Sequence, residues 1–323
     1  MKIKVSVPAS SANIGPGYDI WGMALNIRNE FIVQPSAVDK SHRIEVRSGQ
    51  ALLKTSAYDP REHLENPSDN LFIKSYETLF ERAGLNVIHI FAEISLEIPL
   101  SRGLGSSSSA IVAGLLSANE VIRKTHGKAF SIMEIYHLAT ELEGHPDNVG
   151  PALFGGWVLN IKDGKSGLYK AVKLNLNAPL RLAGVIPHIT LSTKEARKVV
   201  PENNSLNVTT FQSTRTALMV HLLGKSSWDD EDRHLFSLAI EDRVHQQMRS
   251  SLIPGMIQTF SLWQNQGALG CYLSGSGTTL LSFWGKENTL KNIDFRSSLL
   301  NNGIESTIIY PEIDFIGATV EPC

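Results

Sequence analysis

The chain has 323 residues, 42% apolar and 19% charged, which suits a soluble globular protein of two domains rather than a disordered or fibrous one. A net charge of −2 gives no electrostatic case for nucleic acid or an anionic membrane, and no segment reaches transmembrane length. The two cysteines, Cys271 and Cys323, make neither a zinc site nor a disulfide framework, so a cytoplasmic protein is expected.

The alternation Ile3/Val5/Val7 predicts a strand over 2–7, without the apolar core of a signal peptide, and then a glycine- and asparagine-rich turn over 9–17. A polar stretch at 55–69 reads as a surface loop. Asn70 to Arg82 reads as a helix with Phe72, Tyr76, Leu79 and Phe80 on its apolar face. A strand at 91–98 follows, then a serine-rich helix start, and a second helix from about Ser131 to Leu142. Gly155 to Val172 predicts a hairpin turning at Asp163-Gly164-Lys165, with Leu182 to Leu191 as the next strand. Helices are expected at Phe211–Leu223 and Asp232–Arg249, and strands at Leu269–Phe283 and Glu305–Ile309. Mixed strands, hairpins and helices without strict βαβ repetition argue an α+β fold, with a domain boundary near 165.

The stretch Pro99-Leu100-Ser101-Arg102-Gly103-Leu104-Gly105-Ser106-Ser107-Ser108-Ser109-Ala110 leaves a strand and enters a helix. That order gathers backbone N–H groups and hydroxyls at the positive end of a helix dipole, where a polyphosphate is a natural guest. Taken alone, it is equally an ordinary serine-capped helix. Two other segments imitate the P-loop and fail. Gly224-Lys225-Ser226 has Met219 where the first glycine belongs, and Gly164-Lys165-Ser166 is a hairpin tip.

Four further segments carry chemistry. Pro8 to Asp19 exposes backbone around one neutral and one anionic acceptor, Asn13 and Asp19; a plain tight turn has the same composition. Glu141 to Pro151 packs carboxylates, His145 and Asn148 into a helix exit. A hydrolytic triad there lacks a nucleophile elbow, and a Mg²⁺ ion held by few protein ligands fits better. Thr193 and Arg197 stand four apart, so one helical turn brings hydroxyl and guanidinium together. Arg243 is expected on a helix among acidic neighbours, suited to a carboxylate or phosphate or merely facing water. Leu273 to Thr279 is a second glycine-rich turn after an apolar strand.

In this order the segments resemble the GHMP kinases, a superfamily of small-molecule kinases, and within it the homoserine kinases. The likeness spans Val7 to Thr279 and rests on Pro8–Asp19, Pro99–Ala110, Glu143-Gly144-His145-Pro146-Asp147-Asn148, Ser192-Thr193 with Ala196-Arg197, Glu241-Asp242-Arg243 with His245, and Leu273–Thr279. It implies a ribosomal-protein-S5-like N-terminal domain over 1–165 and a ferredoxin-like C-terminal domain over 166–323. ATP and Mg²⁺ would be required, the acceptor would be the hydroxyl of L-homoserine, and the enzyme would be a homodimer. Carried over residue by residue, Asn70, Pro99, Gly103, Leu104, Gly105, Ser106, Ser107 and Ser108 are expected around ATP, and Ser107 with Glu143 at the metal. Asn13, Asp19, His145, Asn148, Arg197 and Arg243 are expected around the amino acid, with Thr193 and Arg197 nearest the transferred phosphoryl. The chain departs from the family where Tyr18-Asp19-Ile20-Trp21 replaces the usual Phe-Asp-Ser-Leu, where Ser276 and Thr278 enter the C-terminal glycine motif, and where Gln246-Gln247-Met248-Arg249 follows His245. Another hydroxylated acceptor (mevalonate, a sugar or threonine) and a non-catalytic metabolite sensor are the alternatives.

Overall fold

The computed structural model describes residues 2–36, 40–48 and 64–323. Of the loop expected at 55–69, residues 55–63 lie outside the described residues. The chain opens with β1 (Ile3–Asn13) and β2 (Gly17–Pro35), an antiparallel pair joined by a three-residue turn. β1 is longer than its alternation predicts, because the small residues Ala9 to Ala12 are buried strand and not turn. Their size lets other loops approach: the Ser10 N–H donates to the Leu104 carbonyl at 3.1 Å, and Ser11 Oγ lies 2.7 Å from Ser274 Oγ.

Then come β3 (Arg43–Ser48), α1 (Leu71–Ala83), β4 (Ile90–Leu96), α2 (Ser106–His126), α3 (Ile132–Glu143), α4 (Val149–Phe154), β5 (Trp157–Lys162) and β6 (Tyr169–Leu174). Asn70 caps α1, its side chain accepting the Phe72 N–H at 2.9 Å, and Ser131 caps α3 in a reciprocal box with Glu134. The second half holds β7 (Leu180–Pro187), α5 (Thr193–Lys198), α6 (Leu206–Gly224), α7 (Asp230–Ala239), α8 (Gln246–Arg249), α9 (Met256–Asn265), β8 (Gly270–Leu273), β9 (Leu280–Gly285), α10 (Ser297–Leu300), β10 (Ser306–Ile309) and β11 (Thr319–Pro322). The expected helix over 232–249 is broken. The Asp242 carboxylate accepts the backbone N–H groups of Val244, His245 and Gln246 at 3.1, 2.9 and 2.7 Å, competing with helical bonding.

Two sheets result, and the fold is α+β. The larger runs β11–β1–β2–β4–β3, with β5 joined to the bent half of β2 at Trp21–Met23 and β6 beyond it. Val5, Val7, Phe31 and Ile94 meet Phe72, Tyr76, Ile111 and Leu115 of α1 and α2 in its core. The smaller sheet is β10–β7–β9–β8, antiparallel throughout. One of its cores joins Tyr272 and Phe283 to Trp21, Trp157 and Leu104 of the first half, and the other packs against Met256, Trp263 and Phe295. Residue 165 is the tip of the β5–β6 hairpin, so sheet membership changes between Leu174 and Leu180. The C-terminal β11 returns to pair with β1. Among the described residues no helix is long and apolar enough to cross a membrane.

Candidate active site

The loop between β4 and α2 is built around two glycines with positive φ. A Cβ on Gly103 (φ +74°) would sit 2.2 Å from the Ser274 carbonyl oxygen, and one on Gly105 (φ +70°) only 1.9 Å from Ser10 Oγ. Gly105 is itself the N-cap of α2, and no side chain caps the helix. The serines therefore do not act as a cap. They occupy the first helical turn, leaving its backbone N–H groups to a ligand at the positive end of a 21-residue helix. Ser106 and Ser107 line the cleft, whereas Ser108 is fully buried behind it and Pro99 lines a separate hollow with Asn26 and Arg28. Arg102 braces the loop, donating to the carbonyls of Pro187 and Leu100 at 3.0 and 3.1 Å.

This loop borders a cleft of about 430 Å³. One group of its lining residues is mainly apolar: Val46, Leu64, Phe72, Leu96 and Leu100, with Asn70 among them. A second group is polar, and it comes from five separate segments. The Asp19 carboxylate takes both terminal nitrogens of Arg197, at 2.8 and 2.9 Å, a bidentate ion pair. Asp19 sits at φ +60°, and its N–H donates to Asn13 Oδ1 at 3.0 Å; Asn13 (φ +70°) in turn donates to the Gly275 carbonyl at 2.9 Å. Two strained non-glycine residues braced this closely show that the loop's form is imposed by its surroundings.

Asn148 Oδ1 accepts from Ser10 Oγ at 2.8 Å, tying the exit of α3 to β1. Nearby, His145 Nδ1 donates to Asp147 Oδ1 at 2.6 Å. Burial lowers the imidazole's proton affinity, but the Asp147 hydrogen bond and charge, with the Glu143 charge, outweigh it and raise the His145 pKa above its ordinary value. Ser107 Oγ donates to Glu143 Oε2 at 2.7 Å; burial nevertheless pushes the Glu143 carboxyl above its usual range. Thr193 Oγ1 lies 3.4 Å from Ser276 Oγ, so α5 and the C-terminal glycine turn close the cleft together.

Arg243 does not join this group. It lies in the bend before α8, with its guanidinium 3.7 Å from the Phe211 ring centroid, and it does not line the cleft. Its expected place on a helix fails because Asp242 unwinds the chain there. Arg249, one helical turn beyond His245, lines the cleft instead. It is 2% exposed and held by the carbonyls of Ala196 and Gly275 at 3.1 and 2.9 Å. Its signal in the sequence was the arginine four places after His245. Ser276 was legible only as part of a glycine turn.

The arrangement thus joins an uncapped helix start, an apolar slot, and a polar chamber lined by the carboxylates of Asp19, Glu143 and Asp147 and the guanidiniums of Arg197 and Arg249. Residues 70–156 match the family described as the GHMP kinases N terminal domain. The chain is 37% identical over 319 residues to the homoserine kinase of Clostridium beijerinckii, covering 98% of both chains. It is also similar to the solved homoserine kinase of Cytophaga hutchinsonii, with a TM-score of 0.80 and 27% identity over 99% of this chain and 97% of that one. A solved mevalonate kinase, at 15% identity and a TM-score of 0.63 over 96% of this chain and 99% of that one, shares the fold. Identity at this level over nearly the whole length, on top of the cleft just described, places the chain in the homoserine kinase family of the ATP-dependent GHMP kinases.

Proposed function

We propose that this enzyme transfers the γ-phosphoryl group of ATP to the side-chain hydroxyl of L-homoserine, giving O-phospho-L-homoserine and ADP. The observation that carries the reading is the pairing of an uncapped α2 N-terminus with a chamber holding both charge types an amino acid needs. The triphosphate lies along Gly103–Ser107, with the adenine among Val46, Phe72, Leu96 and Asn70. Asp19 takes the substrate ammonium, and Arg249 its carboxylate. Arg197 and Thr193 stand nearest the phosphoryl in transit, with Asn13, His145 and Asn148 shaping the pocket. Arg243 has no part in it.

Among the described residues no three His, Cys, Asp or Glu gather as a metal cage. Ser107 and Glu143 still fit Mg²⁺, which prefers few protein ligands and keeps waters and phosphate oxygens. The Glu143 carboxylate, 2.7 Å from Ser107 Oγ, supplies the hard oxygen donor that this ion prefers. When bound, the ion would neutralise phosphate charge. The hydroxyl oxygen attacks phosphorus as the bond to the β-phosphate oxygen breaks, ADP leaves, and the hydroxyl proton passes to a phosphate oxygen. Because that transition state is largely dissociative, orienting the hydroxyl and neutralising charge can supply most of the rate with little help from a base. Free Cys271 and Cys323 fit our placing of the enzyme in the cytoplasm.

A coupled ADP-release assay with L-homoserine, L-threonine, mevalonate and galactose tests the acceptor. Turnover should be fastest by far with L-homoserine. Preference for mevalonate or sugar would move the enzyme to another branch, and ATP binding without turnover of any acceptor would support a sensor.

A further inference from the structure

Tyr18 stands where the resembled family usually carries phenylalanine, and its surroundings give both its ring and its hydroxyl something to hold. The Arg249 guanidinium carbon lies 5.2 Å from the ring centroid and that of Arg197 lies 5.8 Å away, both within cation–π range. The His245 ring lies 5.1 Å away, tilted by 31° to that of Tyr18. His245 Nε2 lies 3.0 Å from the Gly15 carbonyl and donates to it, which leaves Nδ1 as the acceptor for Arg249 Nη1 at 3.3 Å. Tyr18 thus rests on an imidazole whose tautomer is fixed by its partners. Its hydroxyl accepts from Arg197 Nη1 at 3.3 Å, beside the two bonds that Arg197 gives Asp19.

Two guanidiniums facing one chamber repel each other. In the free enzyme Asp19 neutralises one of them, and a substrate ammonium would compete for that carboxylate. The Tyr18 hydroxyl is neutral, so it stays available to Arg197 when Asp19 is shared. A phenylalanine would supply the ring face but not this second tether.

We propose that Tyr18 is a positioning residue for phosphoryl transfer: its hydroxyl fixes the direction of Arg197, and its ring sets the spacing between Arg197 and Arg249. The proposal rests on reading the cleft as a kinase site for an amino-alcohol.

The test combines Tyr18→Phe, Arg197→Lys and the double variant with the ¹⁵N spectrum of the arginine Nε–H groups in ligand-free protein. Tyr18→Phe should lower kcat/KM for L-homoserine about fivefold to tenfold while leaving the KM for ATP within about twofold. In the Arg197→Lys background the same change should have almost no effect, because the tether it removes is already gone. A general loss of packing would instead multiply with Arg197→Lys and raise both KM values. The Arg197 Nε–H resonance, assigned as the one missing in Arg197→Lys, should shift in Tyr18→Phe. Wild-type kinetics in Tyr18→Phe, or fully multiplicative effects, would overturn the proposal. If wild-type protein turned over no L-homoserine, the parent reading would fall, and the ligand-free spectrum would still decide the tether: an unmoved Arg197 signal would refute it.

Discussion

The glycine loop and the polar chamber border the same cleft but are built in opposite ways. The loop is one continuous run, Gly103 to Ser107, whose geometry follows from two left-handed glycines and the helix that starts after them. The chamber is assembled from residues up to 236 positions apart: Asn13 and Asp19, His145 and Asn148, Thr193 and Arg197, and Arg249. Its polar groups hold one another, Arg197 on Asp19 and Asn13 on Gly275. A contiguous site takes its form from one stretch of sequence, although Ser10, Ser274 and Pro187 brace it. An assembled one depends on the two sheets keeping their places.

Four substitutions sharpen that contrast. The largest effect is expected from Arg197→Ala, which should lower kcat for L-homoserine roughly a hundredfold or more, because the guanidinium acts on charge in the transition state. If only the acceptor KM rose, Arg197 would be a ground-state clamp. Arg249→Lys should come next, raising the KM for L-homoserine by about 10- to 100-fold with a smaller fall in kcat, since lysine keeps the charge but loses the planar fork.

Glu143→Gln belongs to the loop side. Steady-state kinetics should show the KM for MgATP raised by about tenfold. Its effect on stability has the opposite sign. The folded pKa of Glu143 lies above its unfolded value, so the contribution of this one group to stability is fully present below the ordinary glutamate range and is lost as pH rises through the raised value. In nucleotide-free protein at pH 7.5, scanning calorimetry should find Glu143→Gln more stable by about 1–3 °C, and the difference should vanish near pH 4. The smallest effect is expected from Arg243→Ala, with kcat and KM within about twofold of wild type, because its guanidinium stacks on Phe211 outside the cleft.

The same contrast explains how much could be read before the structure. The loop was legible because its period, glycines and hydroxyls are local. α1 and α3 were legible because Asn70 and Ser131 announce their starts. Whether the serines cap α2 was left open, because composition does not reveal that Gly105 takes the N-cap position in a left-handed conformation. Ala9 to Ala12 looked like a turn because small residues serve turns and crowded strands equally. In the chamber, Asp19 and Arg197 were legible as charges near motifs, but their pairing was not. Arg243 was named, and Arg249 was not considered, for a similar reason: the unwinding by Asp242 is a side-chain-to-backbone effect that helical periodicity does not register.

The division of the cleft is tested most directly by a crystal structure of the enzyme with a nonhydrolysable ATP analogue, Mg²⁺ and L-homoserine. The account predicts a triphosphate against Gly103, Gly105 and Ser107, with the amino acid between Asp19 and Arg249 and its hydroxyl facing the terminal phosphate. A nucleotide bound away from the α2 N-terminus, or an amino acid seated in the apolar slot beside Asn70 and Phe72, would contradict it.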